Sequence, residues 1–365
     1  MVVYNSYFHG DEVVRPNPIM PRVLTLTVVL LGLLLLSTDT ISQESPQFGH
    51  PGEPGSIQTF ALSDDGRLGV VADYDGRLLV LNLRSGQIET LVSHYPYAVN
   101  DMKISPRSDL IAIADIGRIR IVSISDARSP MRAIDLGSDV SSDIAVAGLS
   151  FSPKGDYLAA ISEESSSVVV WDVAKRAEYR RLKPCRGGQQ FTAFSNDGLK
   201  LAAVCNENIV RIWDLDTPLQ VRDLSVGPDD FVNWIRFSRD GRRLFASTGG
   251  ANLVQVFDLS TGAVVSTLKG HKDQVYSFAV QTNGLVITTS ADETVRLWNI
   301  KTGKLLKTLK IPHGLIAADG SVVLAQAEQP GILELWDVRT GSKVRTFNVV
   351  TNAEKTLSEK HATTR

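Results

Sequence analysis

Two short markers alternate along this chain, each seven times, and they restrict its fold more than anything else in it. The first is a polar turn between two apolar runs: LSDDG at 62–66, ISPRSD at 104–109, FSPKG at 151–155, FSNDG at 194–198, FSRDG at 237–241, VQTNG at 280–284 and AADG at 317–320. The second is an apolar strand closing on a small polar residue: LLVLN at 78–82, IRIVS at 119–123, VVVWD at 168–172, VRIWD at 210–214, VQVFD at 254–258, VRLWN at 295–299 and LELWD at 333–337. Successive turns stand 36 to 47 residues apart, which is the length of one supersecondary unit in a repeat array. The stretch 270–308 shows the whole unit, with apolar alternation at 275–280, 285–289, 294–298 and 304–309 and short Gly-, Asn- and Asp-rich breaks between. Period-2 runs joined by such breaks are strands joined by tight turns. Four in succession make one antiparallel sheet, so the chain reads as all-β.

Gly270-His271, Asp292 and the strand 295–299 stand at the spacing of the WD-repeat family, and the chain resembles that family over about 57–350. The resemblance implies a seven-bladed β-propeller of four-stranded antiparallel blades around a central channel, with blades near 57–93, 97–136, 145–183, 189–225, 231–269, 273–311 and 313–350. Members often lend an N-terminal strand to the last blade. Here 343–349 already supplies an outer strand, so closure is expected to rest on contact between blades. The resemblance also implies a buried relay of His271, Thr288 (or Ser290), Asp292 and Trp298. Chemistry agrees, since an indole N–H and a buried imidazole both need partners and a carboxylate can accept from the ring. A relay that satisfies itself is expected to staple a blade rather than catalyse. The pattern is incomplete elsewhere. Among the blades Gly-His occurs in blade six alone, and only Asp75 and Asp292 put Asp at the expected place, against Glu207, Ser165, Ala251 and Pro330 in other blades.

Residues 23–36, VLTLTVVLLGLLLL, follow Arg22 and precede a small polar tail. This is the pattern of a secretory signal, and the run falls short of the roughly 20 apolar residues that span a bilayer. The expected organisation is an N-terminal extension and cleaved signal (or retained signal anchor) at 1–42, with translation starting at Met20, a flexible leader at 43–56, the propeller at 57–350 and a polar tail at 351–365. An exported protein follows, periplasmic, extracellular or anchored, touching a membrane only through its N-terminal segment if that is retained. A formal net charge of −2 gives no electrostatic footprint for nucleic acid.

Export would permit a disulfide between Cys185 and Cys205, closing a loop of about 20 residues and contributing roughly 3 kcal/mol; two buried thiols are the alternative. The six histidines (His9, His50, His94, His271, His313 and His361) show no metal-ligand spacing. Neither a nucleophile elbow nor a phosphate-binding glycine loop is present. The acidic pairs Asp64-Asp65, Glu163-Glu164 and Asp229-Asp230 read as solvated turn residues. The expected function is therefore a monomeric, non-catalytic scaffold without cofactor, which binds a protein or peptide on the face carrying the loops that lead into the blades. Tyr95, Tyr97, Arg186, Asp230 and Tyr276 are its candidate contacts, because Tyr and Arg are favoured anchors. Trp234 lies in strand alternation and belongs with the core. The alternative is a propeller enzyme, lactonase-like or quinone-dependent, with its site at the channel mouth.

Overall fold

Alternating side chains and left-handed turn residues build seven sheets of four consecutive antiparallel strands each. The computed structural model describes residues 56–350 apart from 116–117, 125–131, 135–145, 163–166, 183–190, 207, 218–220 and 229. The expectations for Met20, 23–36, Cys185, Arg186, Glu163, Glu164, Asp229 and the tail 351–365 lie outside the described residues. The seven blades form a β-propeller, and no helix occurs among the described residues.

Blade six shows how sequence becomes blade. Its strands are Val275–Val280, Leu285–Ser290, Thr294–Asn299 and Leu305–Lys310, from the channel outward. The second strand is fully covered except at its first residue, and the outer strand buries only Leu309. Burial falls outward because the middle strands lie between neighbouring blades while the outer one faces solvent. Innermost strands of successive blades touch all the way round, and the last of them, Gly314–Ile316, meets the first, Ile57–Leu62.

The first marker is the turn between the innermost and second strands. The residue that closes it has positive φ in all seven blades, Gly in six and Ser108 (57°) in the second. Its N–H donates back to the residue three before it, as Gly241 does to Ser238 at 2.9 Å. In five blades a Ser fills that position and reinforces the turn. Ser63, Ser105, Ser152, Ser195 and Ser238 are buried, and each hydroxyl accepts the N–H five residues on, at 2.9–3.0 Å. These are side chain-to-backbone turns of the Ser/Thr class.

Blades adhere through apolar faces. Phe278, Val286 and Trp298 of blade six meet Phe245, Val254, Val256 and Leu268 of blade five. At the seam, Ile57, Phe60, Val71, Leu79 and Leu81 of blade one meet Leu324, Leu333, Leu335 and Phe347 of blade seven. Each fully buried side chain of this size contributes on the order of 2 kcal/mol. Among the described residues no strand is exchanged across that seam.

Candidate functional site

The best-connected polar set lies where the chain enters blade six. Gly270 takes φ 150°, and a Cβ there would stand 2.8 Å from the Arg296 guanidinium. Glycine thus lets the loop turn inward and set His271 beneath it. His271 Nδ1 lies 2.9 Å from Asp292 Oδ2, and Nε2 lies 2.7 Å from Thr288 Oγ1. Trp298 Nε1–H donates to the same Thr288 hydroxyl at 2.9 Å. Ser290 does not enter this relay: its hydroxyl donates to the Asp273 carbonyl at 2.8 Å and accepts the Asp292 N–H at 3.1 Å.

Proton positions follow from who can donate. Asp292 can only accept, so Nδ1 carries the proton, Nε2 is bare, and Thr288 donates to it. The imidazole is then neutral, and burial holds its pKa below the usual histidine value despite Asp292. Burial alone would raise the Asp292 carboxyl. Hydrogen bonds from Thr294, the Lys272 N–H and His271 outweigh it and bring the carboxyl to about 2. Every member is satisfied inside the set, and the His271 ring is 1% exposed. The arrangement pins a loop to a blade and presents no nucleophile.

Blades one and two achieve a related end with different residues. Asp73 and Asp115 close their second strands and are buried. Arg77 meets Asp73 at 2.6 Å, and Arg120 Nε donates to Asp115 Oδ2 at 2.6 Å. Tyr95 donates its hydroxyl to the same Asp115 oxygen at 2.6 Å, and its backbone N–H donates to the Gly76 carbonyl at 2.6 Å. Tyr95 therefore does for blade two what His271 does for blade six.

That placement corrects the expectation for Tyr95. It is 4% exposed within the core shared by blades one and two, and cannot contact a partner. A tyrosine beside a proline in a loop resembles a surface residue until its hydroxyl finds a carboxylate 20 residues on. Tyr97 differs, with 44% of its surface exposed and its ring 4.7 Å from the Arg120 guanidinium and edge-on to Tyr95. Asp230 accepts the N–H of its neighbour Phe231 and that of Gly250 in the turn 20 residues on. Tyr276 is half-buried against His313. Trp234 is not core. It stacks 4.9 Å from Phe191 and lines a channel cavity of 1060 Å³ together with Lys103, Arg236, Asp101 and Asp319. Cys205 is buried and disulfide-bonded. Among the described residues no group of three or more His, Cys, Asp or Glu is placed to hold a metal ion.

Residues 262–299 match the family model described as WD domain, G-beta repeat. The chain is similar to eukaryotic translation initiation factor 3 subunit I of Emericella nidulans, 35% identical over 29% of this chain and 33% of that one. It is also similar to the COMPASS component SWD3 of Saccharomyces cerevisiae, 26% identical over 54% of this chain and 66% of that one. With autophagy-related protein 16 of Arabidopsis thaliana it shares 23% identity over 72% of this chain and 50% of the relative. The chain spans about a third of the length of the initiation-factor relatives it matches.

These relatives overturn the expectation of export. Translation initiation and autophagy belong to the interior of a eukaryotic cell, so the comparisons point to a cytoplasmic or nuclear location. The misreading has a physical source. An apolar run shorter than a bilayer span records only that a segment avoids water, not that a translocation machinery reads it. Among the described residues, no helix is long and apolar enough to cross a membrane.

Proposed function

The chain belongs to the WD-repeat family, and on that premise we propose that it is a non-catalytic scaffold whose protein or peptide partner docks on the face carrying the loops that lead into the blades. One observation supports this face most directly: the Tyr97 ring is exposed yet held in place by Arg120, which is itself anchored on buried Asp115. An aromatic anchor whose geometry is set before binding loses little entropy on docking. Stacking of a guanidinium on the ring adds a cation–π contact of about 0.5–1 kcal/mol at an exposed site. Relatives named for subunits of larger assemblies agree with a scaffold.

The test is affinity capture from cytoplasmic and nuclear extracts with full-length wild type and with Tyr97→Ala. A protein enriched by wild type should be lost or weakened at least about tenfold by the variant, the usual scale of an aromatic hot spot. The melting temperature should fall by no more than about 3 °C, because the variant loses only the ring's contacts with Arg120 and Tyr95. Tyr95 is left intact, since removing it would strand Asp115 and damage blade two. Equal retention by both proteins would move the interface off this face.

A further inference from the structure

Three of the outer strands share an unusual side chain. Among the described residues, nine large apolar side chains are exposed, and the three most exposed are Leu306 at 58%, Val344 at 56% and Val265 at 51%. They occupy one structural position in three consecutive blades. In blade five the ladder passes from Val256↔Ser266 to Phe257↔Val264 and skips Val265. In blade six it passes from Leu297↔Lys307 to Trp298↔Leu305 and skips Leu306. In blade seven it passes from Leu335↔Arg345 to Trp336↔Lys343 and skips Val344. Each is the extra residue of a β-bulge, a device that re-aims a side chain and ends strand pairing.

Blades three and four differ at this position. The corresponding bulge in blade three carries Tyr179, but that ring stacks 4.6 Å from Tyr157 of its own blade. Blade four has no bulge there, since Ile212↔Arg222 and Trp213↔Val221 run in step. Val264 and Leu305, 45% and 44% exposed, extend the strip on blades five and six. Single apolar residues scattered on a surface are ordinary, whereas these three recur at one structural position on three consecutive blades.

The surroundings of the strip are basic. Lys301, Lys304 and Lys310 are exposed, with no ion pair among the described residues. Lys307 donates only to the Arg339 carbonyl. The nearby carboxylates are engaged already: Asp258 and Asp337 accept N–H groups inside their own turns, and Glu334 pairs with Lys343 at 2.8 Å.

We propose that the rim of blades five to seven is a second docking surface, separate from the face that carries Tyr97, and that it takes a protein segment in which apolar residues are interspersed with Asp or Glu. Apolar side chains of the segment cover Val265, Leu306 and Val344, and its carboxylates meet Lys301, Lys304 and Lys307. Charge argues for this occupant over a second copy of the chain, because rim against rim sets lysine against lysine. The bulges also block edge-to-edge strand addition.

The experiment uses the full chain and a fluorescein-labelled synthetic peptide of alternating glutamate and leucine, with glutamate–serine and lysine–leucine peptides of equal length beside it. Fluorescence anisotropy should show binding of the glutamate–leucine peptide alone, weakening as salt rises. Leu306→Glu and, separately, Lys304→Glu with Val344→Ser should each weaken it roughly tenfold. Both variants should keep the wild-type melting temperature, since the changed side chains are exposed. Four results would overturn the proposal: no binding by wild type, equal binding by both variants, equal binding of the lysine–leucine peptide, or binding of phosphatidylserine vesicles in place of the peptide. A wild-type dimer in size-exclusion chromatography that Leu306→Glu dissociates would assign the rim to self-association instead.

Discussion

Blades four and six carry nearly the same third strand, IVRIWD at 209–214 and TVRLWN at 294–299, and each buries its tryptophan to 1% exposure. Their indole N–H groups fare differently. Trp298 donates to Thr288, whereas the N–H of Trp213 finds no acceptor among the described residues. One position accounts for the difference. Thr288 stands two residues after the partner of Trp298 in the ladder, and blade four has Ala203 there. Blade three repeats the case with Trp171 above Ala160. In blades three, four and six the tryptophan is thus kept as an apolar filler between blades, worth on the order of 2–3 kcal/mol by burial. The hydrogen bond is an addition that fixes the loop into blade six.

The largest effect on this comparison should come from Thr288→Val, which keeps shape and removes the hydroxyl. It strands both His271 Nε2 and Trp298 Nε1, and about 3 kcal/mol of stability should be lost by denaturant titration. A loss under about 0.5 kcal/mol would show that blade six is held no differently from blade four.

Acid should erase part of the same difference. The folded pKa of His271 is depressed, so the unfolded chain takes up the proton first as pH falls below the ordinary value of 6.5. Its contribution is complete above that pH and is lost as pH drops through the folded value. Asp292, brought from 3.8 to about 2, contributes a second decline only in strong acid. The wild-type melting temperature should fall as pH is lowered from neutrality. His271→Gln should start lower at neutral pH and fall less steeply, and parallel curves would remove His271 from the account.

The smallest effect is a gain. Ala203→Thr places a hydroxyl under Trp213, with the Arg211 carbonyl across the ladder to take its proton. Thermal melts should show stabilisation of up to about 1 kcal/mol. A loss of similar size would mean that blade four has no room for the added atoms.

The architecture was legible because its determinants are local. A short polar turn closing on a residue of positive φ and an alternating strand after it fix one hairpin each, and seven copies leave little else to build. The relay in blade six was legible for the same reason, since Gly-His and Asp292 sit in adjacent turns. Tyr95 was not, because its partner is set by tertiary pairing. A signal existed nonetheless: Asp73 with Arg77 and Asp115 with Arg120 repeat an Asp–Arg pattern at the end of two second strands. Rim bulges escaped too, since one extra residue in a short strand merely places two apolar residues side by side, as at Leu305-Leu306. Location was not legible, because an apolar run such as 23–36 records only avoidance of water.

Each sheet is made from one unbroken stretch of chain, and blade seven meets blade one through side chains and a few polar contacts such as the Ala318 N–H to the Asp64 carbonyl at 3.0 Å. Among the described residues that junction is thus built in the same way as the others, by apolar packing with a few hydrogen bonds. A circularly permuted gene that opens the ring between two other blades and links 350 to 56 would encode the same set of sheets. Where translation of such a ring starts is a matter of genetic history rather than of mechanics.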